Sequence, residues 1–195
     1  MTSNPSDIET TVHPMQDFAD PVAEVVGGVA EILHDTVKVT LANDRWVSAH
    51  SVARDELDLV FFSWLSAIDW ANEVEAGDAL KDEVEERLEL LSTVGDLTEG
   101  KRVTFSTTLD SGLPTVATLV DVYAGANWHE REAAEMFGIE FIGHPNPTKI
   151  YLPDGFIGNP LRKSYPLLSR EVKPWPGTVD VEGMPEGPST ENPEA

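Results

Sequence analysis

The first repeating pattern of apolar positions begins after Asp20 and has the spacing of an amphipathic helix. Asp20 is suited to cap such a helix, and Pro21 is suited to its first position. The apolar side chains that share one stripe are Val22, Val25, Val26, Val29, Ile32 and Leu33. The pattern therefore predicts a helix that continues to Leu33, with Gly27 and Gly28 inside it as positions of close packing.

The next two segments predict a strand and a second helix. Residues 36–41 alternate between apolar and polar side chains, which is the period of a half-buried strand. Ser51 is suited to cap a helix, and apolar side chains recur at helical spacing after it. These positions are Leu57, Val60, Phe61, Trp64, Leu65 and Ile68. We expect this second helix to bury a wide apolar face.

A hairpin and an ambiguous segment follow. Residues 86–94 and 101–109 are rich in strand-forming side chains, and residues 95–100 would join them as an antiparallel hairpin. The β-branched residues of 115–123 favour a strand, whereas their spacing also permits a short helix. We predict a helix there.

A third helix is predicted from Asn127 to Gly138. Asn127 followed by Glu130 resembles a capping box, and Gly138 is a suitable left-handed stop. One face of this helix would carry an aromatic and three charged side chains: Trp128, Arg131, Glu132 and Glu135. From residue 138 to 176 Gly, Pro and aromatic residues predict an irregular, extended chain.

These elements predict an α+β fold, in which a small mixed or antiparallel sheet packs with two or three helices and an irregular C-terminal segment follows. Residues 1–19 are predicted to be a flexible extension, and residues 20–125 the α+β domain. Residues 126–170, termed here the signature block, are predicted to form an interface. Residues 171–195 are acidic and Pro-rich, and we expect them to form an extended C-terminal arm.

Composition excludes several functions. The net charge of −22 and the pI near 4.3 oppose binding to nucleic acid or to anionic lipid. The chain has no cysteine and therefore no thiolate ligands for an iron–sulfur cluster. No stretch of about 18 apolar residues predicts a membrane span, and the first residues resemble no targeting segment. We expect a soluble, cytoplasmic and bacterial protein.

Searches for catalytic motifs fail. Gly27 and Gly28 lack the rest of a dinucleotide fingerprint, and the glycines of residues 155–163 have the wrong spacing for a phosphate loop. His129 and Glu130 begin like a zinc protease helix, but Ala133 stands where the second histidine is required. The carboxylates of residues 130, 132 and 135 could support acid/base chemistry, although the neighbouring Arg131 favours ion pairing.

The charge balance of the signature block distinguishes it from the rest of the chain. From Trp128 to Arg170 there are five acidic and five basic residues, so this part is neutral within a chain of net charge −22. Neutrality, aromatic side chains, Pro turns and Arg enrichment are typical of the core of a protein interface.

The same block resembles a known family. The runs WHEREAAEMFGIEFIGHP from Trp128 and YLPDGFIGNPLRKSYP from Tyr151 are similar to the signature of the 30 kDa (C) subunit family of respiratory complex I. The sequence departs from the family pattern at Glu135 and Ser164, where Asp is usual. It also departs at Thr148 and Lys149, where arginines are common.

This resemblance implies a structural subunit of the peripheral arm of a proton-translocating NADH:quinone oxidoreductase, without an active site or cofactor of its own. FMN, iron–sulfur clusters and quinone are expected in partner subunits, among which the equivalents of the B, D and I subunits would be neighbours. The assembly would lie at the cytoplasmic side of a bacterial cell membrane. Two alternatives remain open: the equivalent subunit of a membrane-bound hydrogenase or F420-type dehydrogenase, and a self-sufficient enzyme that uses Glu130, Glu132 or His144.

The residues predicted to contact partner subunits combine the family pattern with aromatic and charged anchors. They are Trp128, Glu130, Arg131, Glu132, Phe137, Gly138, Phe141, Gly143, His144, Pro145, Pro153, Phe156, Gly158, Pro160, Leu161, Arg162, Lys163, Tyr165, Pro166 and Trp175.

Overall fold

The computed structural model describes residues 13–34, 36–72 and 84–166. Its helices are α1 (Gln16–Val26), α2 (Trp46–Glu56) and α3 (Ala126–Phe137). Its strands are β1 (Val29–Leu33), β2 (Thr36–Thr40), β3 (Phe61–Asp69), β4 (Leu88–Gly95), β5 (Arg102–Leu109), β6 (Thr115–Ala117) and β7 (Glu140–Ile142). The α+β class predicted from the sequence is confirmed.

The main sheet has five strands in the order β1-β2-β5-β4-β3. Only the β2–β5 pair of this sheet is parallel; the other three pairs are antiparallel. A second, two-stranded sheet pairs β6 with β7 in parallel, with Val116 opposite Phe141. The predicted hairpin of residues 86–109 is confirmed as β4 and β5.

The core lies between one face of the main sheet and helices α1 and α2. Val39, Leu90 and Phe105 are fully buried on that face. From α2, His50 projects among them: its Nδ1 donates to Trp46 O at 2.6 Å, and its Nε2 accepts from Ser92 Oγ at 2.5 Å. Burial lowers the pKa of His50 to about 4, so this core histidine is neutral at pH 7.

The first predicted helix is wrong beyond residue 26. Helix α1 ends where Gly27 takes a left-handed conformation with φ of 72°, and residues 29–33 form β1 instead. Pro21 lies inside the helix rather than at its start, and Met15, not Asp20, is the N-cap residue. Since the helix begins at residue 16, the predicted boundary of the extension at residue 19 falls inside it, and residues 1–12 lie outside the described chain.

The second predicted helix is correct only in its first part. Helix α2 begins at Trp46, before the predicted cap Ser51, and ends at Glu56, whereas residues 61–69 form the edge strand β3. A β-bulge between Phe62 and Trp64 explains the misleading pattern. Phe61 pairs with Gly95 and Trp64 with Thr93, so side chains three residues apart lie on the same face of the sheet. This i, i+3 spacing on a strand imitates the period of a helix.

Two smaller predictions need correction. Residues 115–117 are a strand rather than the start of a helix, because they pair with β7, and a turn closed by Val122 N–H and Leu119 O follows them. Helix α3 ends at the left-handed Gly138 as predicted, but its N-cap is Gly125, and no side chain caps it.

Gly28, which follows α1, packs its backbone closely against β2, and a substitution there tests this packing. A Cβ at this position would lie 2.5 Å from Val39 Cγ1 and 2.8 Å from the backbone oxygen of Thr40. Gly28→Ala should lower the free energy of unfolding, measured by urea denaturation, by about 1–3 kcal/mol through overpacking. The control is Gly155→Ala, where a Cβ has no neighbour within 4 Å and the expected change is under about 0.5 kcal/mol. Equal effects would contradict the close packing.

Candidate partner interface

Helix α3 is joined to the chain before it by the buried carboxylate of Glu130. This side chain is fully enclosed; its Oε2 accepts from Thr118 Oγ1 at 2.5 Å and its Oε1 from Leu119 N–H at 2.6 Å. Burial raises the pKa of Glu130 to about 7, against the opposing effect of these two hydrogen bonds. The carboxyl group therefore titrates near neutral pH inside the fold.

His144 approaches the same carboxylate from the segment after β7. Its Nε2 lies 3.9 Å from Glu130 Oε2, and its ring is only 2% exposed. The backbone N–H of Asn146 donates to Nδ1 at 3.0 Å, and Nε2 lies 3.2 Å from Asn127 O. Because Nδ1 accepts, the proton of the neutral ring lies on Nε2 and is donated to that carbonyl.

A second buried carboxylate joins α3 to the chain that follows it. Glu135 accepts backbone N–H groups from Ile150, Tyr151 and Leu152 at 3.0, 3.0 and 2.7 Å. Desolvation raises the pKa of Glu135, but the three N–H donors outweigh this effect and hold it below its usual value. The backbone carbonyl of the same residue accepts from Asn159 Nδ2 at 3.0 Å.

The guanidinium of Arg131 is not part of the ion pair that the sequence suggested. Its Nε donates to Thr148 O at 2.8 Å, and a terminal nitrogen donates to Thr148 Oγ1 at 2.9 Å. Its Cζ also lies 4.8 Å from the ring centre of Trp128. Among the described residues Arg131 has no carboxylate partner, so its contacts fix the following loop on α3.

The other basic residues of the block that the structure describes also bind within the chain. Lys149 Nζ donates to the carbonyls of Pro153 and Phe156 at 3.4 and 3.2 Å. Lys163 binds the end of β3, with its N–H on Asp69 Oδ2 at 3.0 Å and its Nζ on Ala71 O at 2.7 Å. The C-terminal part of the block is thereby folded back onto the main sheet.

Arg162 completes this attachment. A terminal nitrogen donates to Ser111 O at 2.7 Å, and the other lies 3.9 Å from Asp69 Oδ2. Phe156 and Tyr165 stack nearby with ring centres 5.9 Å apart. Gly158 has φ of 95°, and a Cβ there would lie 2.8 Å from the Tyr165 ring, which explains why a glycine occupies this position.

The predicted interface residues divide into three classes by exposure. The exposed ones are Trp128, Gly138, Gly143, Pro145, Pro153, Gly158, Leu161 and Pro166. The half-buried ones are Arg131, Glu132, His144, Phe156, Pro160, Arg162, Lys163 and Tyr165. The buried ones are Glu130, Phe137 and Phe141. The last three contact the interior of the chain itself, while Trp175 and the rest of the predicted arm lie outside the described residues.

Three exposed apolar side chains that the sequence reasoning missed lie in the same block. Tyr151 is 63% exposed, Ile157 89% and Ile142 58%, beside Trp128 at 62% and Leu161 at 53%. For Tyr151 and Ile157 the signal was available in the second signature run, where large apolar residues are interspersed with Pro and Gly.

The block also contains two adjacent cavities. One, of about 440 Å³, is lined by Glu130, His144, Phe141 and Ile142, and the other, of about 360 Å³, by Glu135, Leu152 and Phe156; both share Arg131. Within the described residues no group of three or more His, Asp or Glu side chains is arranged for a metal ion. No helix in the described ranges has both the length and the apolar character that crossing a membrane requires.

Residues 39–171 match the family described as "Respiratory-chain NADH dehydrogenase, 30 Kd subunit". This range covers both signature runs, strands β3, β4 and β5 of the main sheet, and helices α2 and α3. The chain belongs to this family. The resemblance noted in the sequence is therefore confirmed.

Individual relatives agree with this assignment. The C subunit of the NADH-quinone oxidoreductase of Mycolicibacterium gilvum is 30% identical over 159 residues, which cover 77% of this chain and 67% of the relative. The protein of the same name from Burkholderia cenocepacia strain HI2424 is 52% identical over 58 residues, which cover 30% of this chain and 29% of that relative.

Two solved structures share the fold. A trypsin-resistant fragment of Nqo5 superposes with a TM-score of 0.53 at 20% identity, covering 67% of this chain and 97% of the fragment. A chain from the membrane-bound sulfane sulfur reductase, an archaeal respiratory membrane complex, superposes with a TM-score of 0.55 at 16% identity, covering 73% and 79%.

The raised pKa of Glu130 gives stability a specific pH dependence. Its contribution is fully present below the ordinary carboxyl pKa of 4.5 and is lost as the pH rises through about 7. Between pH 5.5 and 8.5, we expect the free energy of unfolding of the unchanged chain to fall by about 2 kcal/mol relative to Glu130→Gln. Urea denaturation across this range, above the pI, provides the measurement.

The control for this prediction is Glu140→Gln, which removes an exposed carboxyl group of β7. Its stability should follow that of the unchanged chain at every pH. Parallel curves for Glu130→Gln and the unchanged chain would show that the buried carboxyl does not titrate in this range.

Proposed function

We propose that the chain is a structural subunit of the peripheral arm of a proton-translocating NADH:quinone oxidoreductase. It supports electron transfer from NADH to quinone by packing against the subunits that bear the clusters and the quinone site, the equivalents of B, D and I. FMN, iron–sulfur clusters and quinone are bound by those partners. The assembly lies peripherally at the cytoplasmic side of the cell membrane.

The observation that carries this proposal is the contrast between charged and apolar side chains in the signature block. Arg131, Lys149, Arg162 and Lys163 donate to backbone carbonyls of the same chain. Large apolar side chains are instead directed outward. A surface whose basic side chains are already hydrogen-bonded within the chain and whose large apolar groups are exposed is suited to burial against another protein.

Rigidity favours the same role. The loop after α3 is fixed by the three N–H donations to Glu135 and by the two carbonyls that accept from Lys149. A surface ordered before binding loses little conformational entropy when a partner covers it. The exposed Tyr151 and Ile157, which lie in or next to this loop, are therefore held in place before a partner binds.

The acid/base alternative has one observation in its favour, the proximity of Glu130 and His144. Both groups, however, are already engaged: the carboxylate accepts from Thr118 and Leu119, and the ring contacts Asn127 and Asn146. A catalytic pair needs a lone pair or proton directed at a substrate. We interpret the pair as a support for α3, and turnover of any substrate by the purified chain would favour the alternative.

Purification of a tagged chain from membranes tests the assembly. Co-purifying subunits identified by mass spectrometry should include those of an NADH:quinone oxidoreductase, with NADH dehydrogenase activity in the same fraction. Recovery with hydrogenase or F420-dependent subunits would place the same structural role in a related complex. Recovery of the chain alone would overturn the proposal.

The exposed apolar residues are expected to contribute most of the partner affinity. Ile157→Ser combined with Trp128→Ser should weaken the association by at least about 2 kcal/mol, roughly thirty-fold, because both side chains would be buried at the interface. The measurement is the fraction of the tagged chain that co-purifies with the complex. Thermal unfolding of the variant should remain unchanged, since neither side chain is in the core.

The matched control is Val29→Ser, a truncation of an exposed apolar side chain on β1, at the far edge of the main sheet from β3. Its recovery with the complex should equal that of the unchanged chain. Equal losses for both variants would refute a specific role of the block.

A further inference from the structure

A large cavity in the described chain shares no residue with the signature block. It is a groove of about 660 Å³ between α1, the connection from α2 to β3, and the turn of the β4–β5 hairpin. Its apolar lining includes Phe18, Val22, Leu57, Leu59, Val60 and Leu97. Leu97 is 71% exposed and Val60 is 54% exposed, so the groove opens to solvent through apolar side chains.

The charged residues that line the groove are mainly acidic. Four carboxylates, Asp17, Asp58, Asp96 and Glu99, face a single cation, Lys101, which gives the groove a net charge of −3. Lys101 Nζ is already bound to Glu99 Oε2 at 2.5 Å and lies 5.5 Å from the Phe18 ring centre. The one cation that lines the groove therefore neutralises only one of the acids.

Of the remaining carboxylates, Asp96 is held by backbone donors, while those of Asp17 and Asp58 are available to a ligand. Asp96 accepts the backbone N–H groups of Thr98 and Glu99 at 2.7 and 2.6 Å, and these donors hold its pKa below the usual value. Asp58 is held in the left-handed region, with φ of 54°. Neither Asp17 nor Asp58 has a side-chain partner among the described residues.

We propose that this groove binds a basic amphipathic segment of a partner protein. Apolar side chains of the segment would cover Val60 and Leu97, and its Lys or Arg side chains would pair with Asp17 and Asp58. Charge complementarity selects this occupant, because a second copy of a chain with net charge −22, a nucleic acid or an anionic membrane would be repelled. The groove thus provides a second contact surface, independent of the signature block.

A defined peptide tests the chemistry of this surface. The probe is a synthetic peptide of about 14 residues with Leu and Lys at helical spacing, and Glu replaces Lys in the comparison peptide. Its affinity for the full chain is measured by fluorescence anisotropy at low and high salt. The Lys peptide should bind, and its affinity should fall as the salt concentration rises. The Glu peptide should not bind.

Removal of the two unpaired carboxylates should specifically weaken the binding of the Lys peptide. Asp17→Asn with Asp58→Asn is expected to reduce affinity roughly five- to ten-fold, as expected for two exposed ion pairs. Asn tolerates the left-handed backbone at position 58, so the fold is retained. Leu97→Ser should reduce affinity through the loss of apolar contact.

The control double variant, Glu31→Gln with Asp154→Asn, removes two exposed acids outside the groove. It should change affinity by less than about two-fold. Equal weakening by both double variants would mean that the peptide senses only the net charge, which would overturn the proposal. If analytical sedimentation showed that the chain forms a dimer and that Leu97→Ser dissociates it, the occupant of the groove would be a second copy of the chain rather than a basic segment.

The natural occupant can be located in the assembled complex. A photo-crosslinking amino acid at position 97 of the tagged chain should attach to a segment rich in Lys or Arg in a co-purified subunit, and the Asp17→Asn, Asp58→Asn background should reduce the yield. An acidic cross-linked segment, or no cross-link within the intact complex, would refute the groove as a docking site. This outcome would leave the proposed role of the signature block unaffected.

Discussion

The arrangement of the signature block depends on two buried carboxylates of one helix. Glu130 binds the turn that precedes α3, through Thr118 and Leu119, and Glu135 binds three N–H groups of the loop that follows it. In both residues the carboxylate accepts hydrogen bonds from backbone N–H or hydroxyl groups in place of water, which makes its burial possible. The helix is thereby fixed to the chain on either side, and its Trp128 face is left outward.

The arrangement of the signature block explains how charge is distributed along the chain. Outside the signature block, acids outnumber bases and keep the surface unsuited to polyanions. Inside the block, Glu130 and Glu135 are buried against hydrogen-bond donors, and the four basic residues that the structure describes donate to backbone carbonyls. Few of these charged groups would therefore lose bound water when a partner approaches. In these residues, the balance of acidic and basic groups therefore reflects hydrogen bonds within the chain and not charges kept free to pair with a partner protein.

Local sequence rules succeeded where the structure is decided locally and failed where pairing decides it. The β4–β5 hairpin and the stop of α3 at Gly138 follow from residues close in the chain. Residues 29–33 and 61–69 were predicted as helix because their apolar spacing permits it, yet both are edge strands. Their partners, β2 and β4, and the bulge at Phe62 and Trp64 settle the choice, which periodicity alone does not reveal.

By itself the sequence determined the family and the α+β class, and it predicted the location of the interface segment, because two long runs and a neutral composition are readable along the chain. Only the tertiary structure decided which residues of that segment are supports and which are surface. Lys163 reaches Asp69 across 94 positions, Arg162 reaches Ser111 across 51, and His144 approaches Glu130 from beyond β7. Such contacts join distant parts of the chain, and no local spacing encodes them, so Ile157 and Tyr151 emerge as exposed and Glu130 as buried only once the chain is folded.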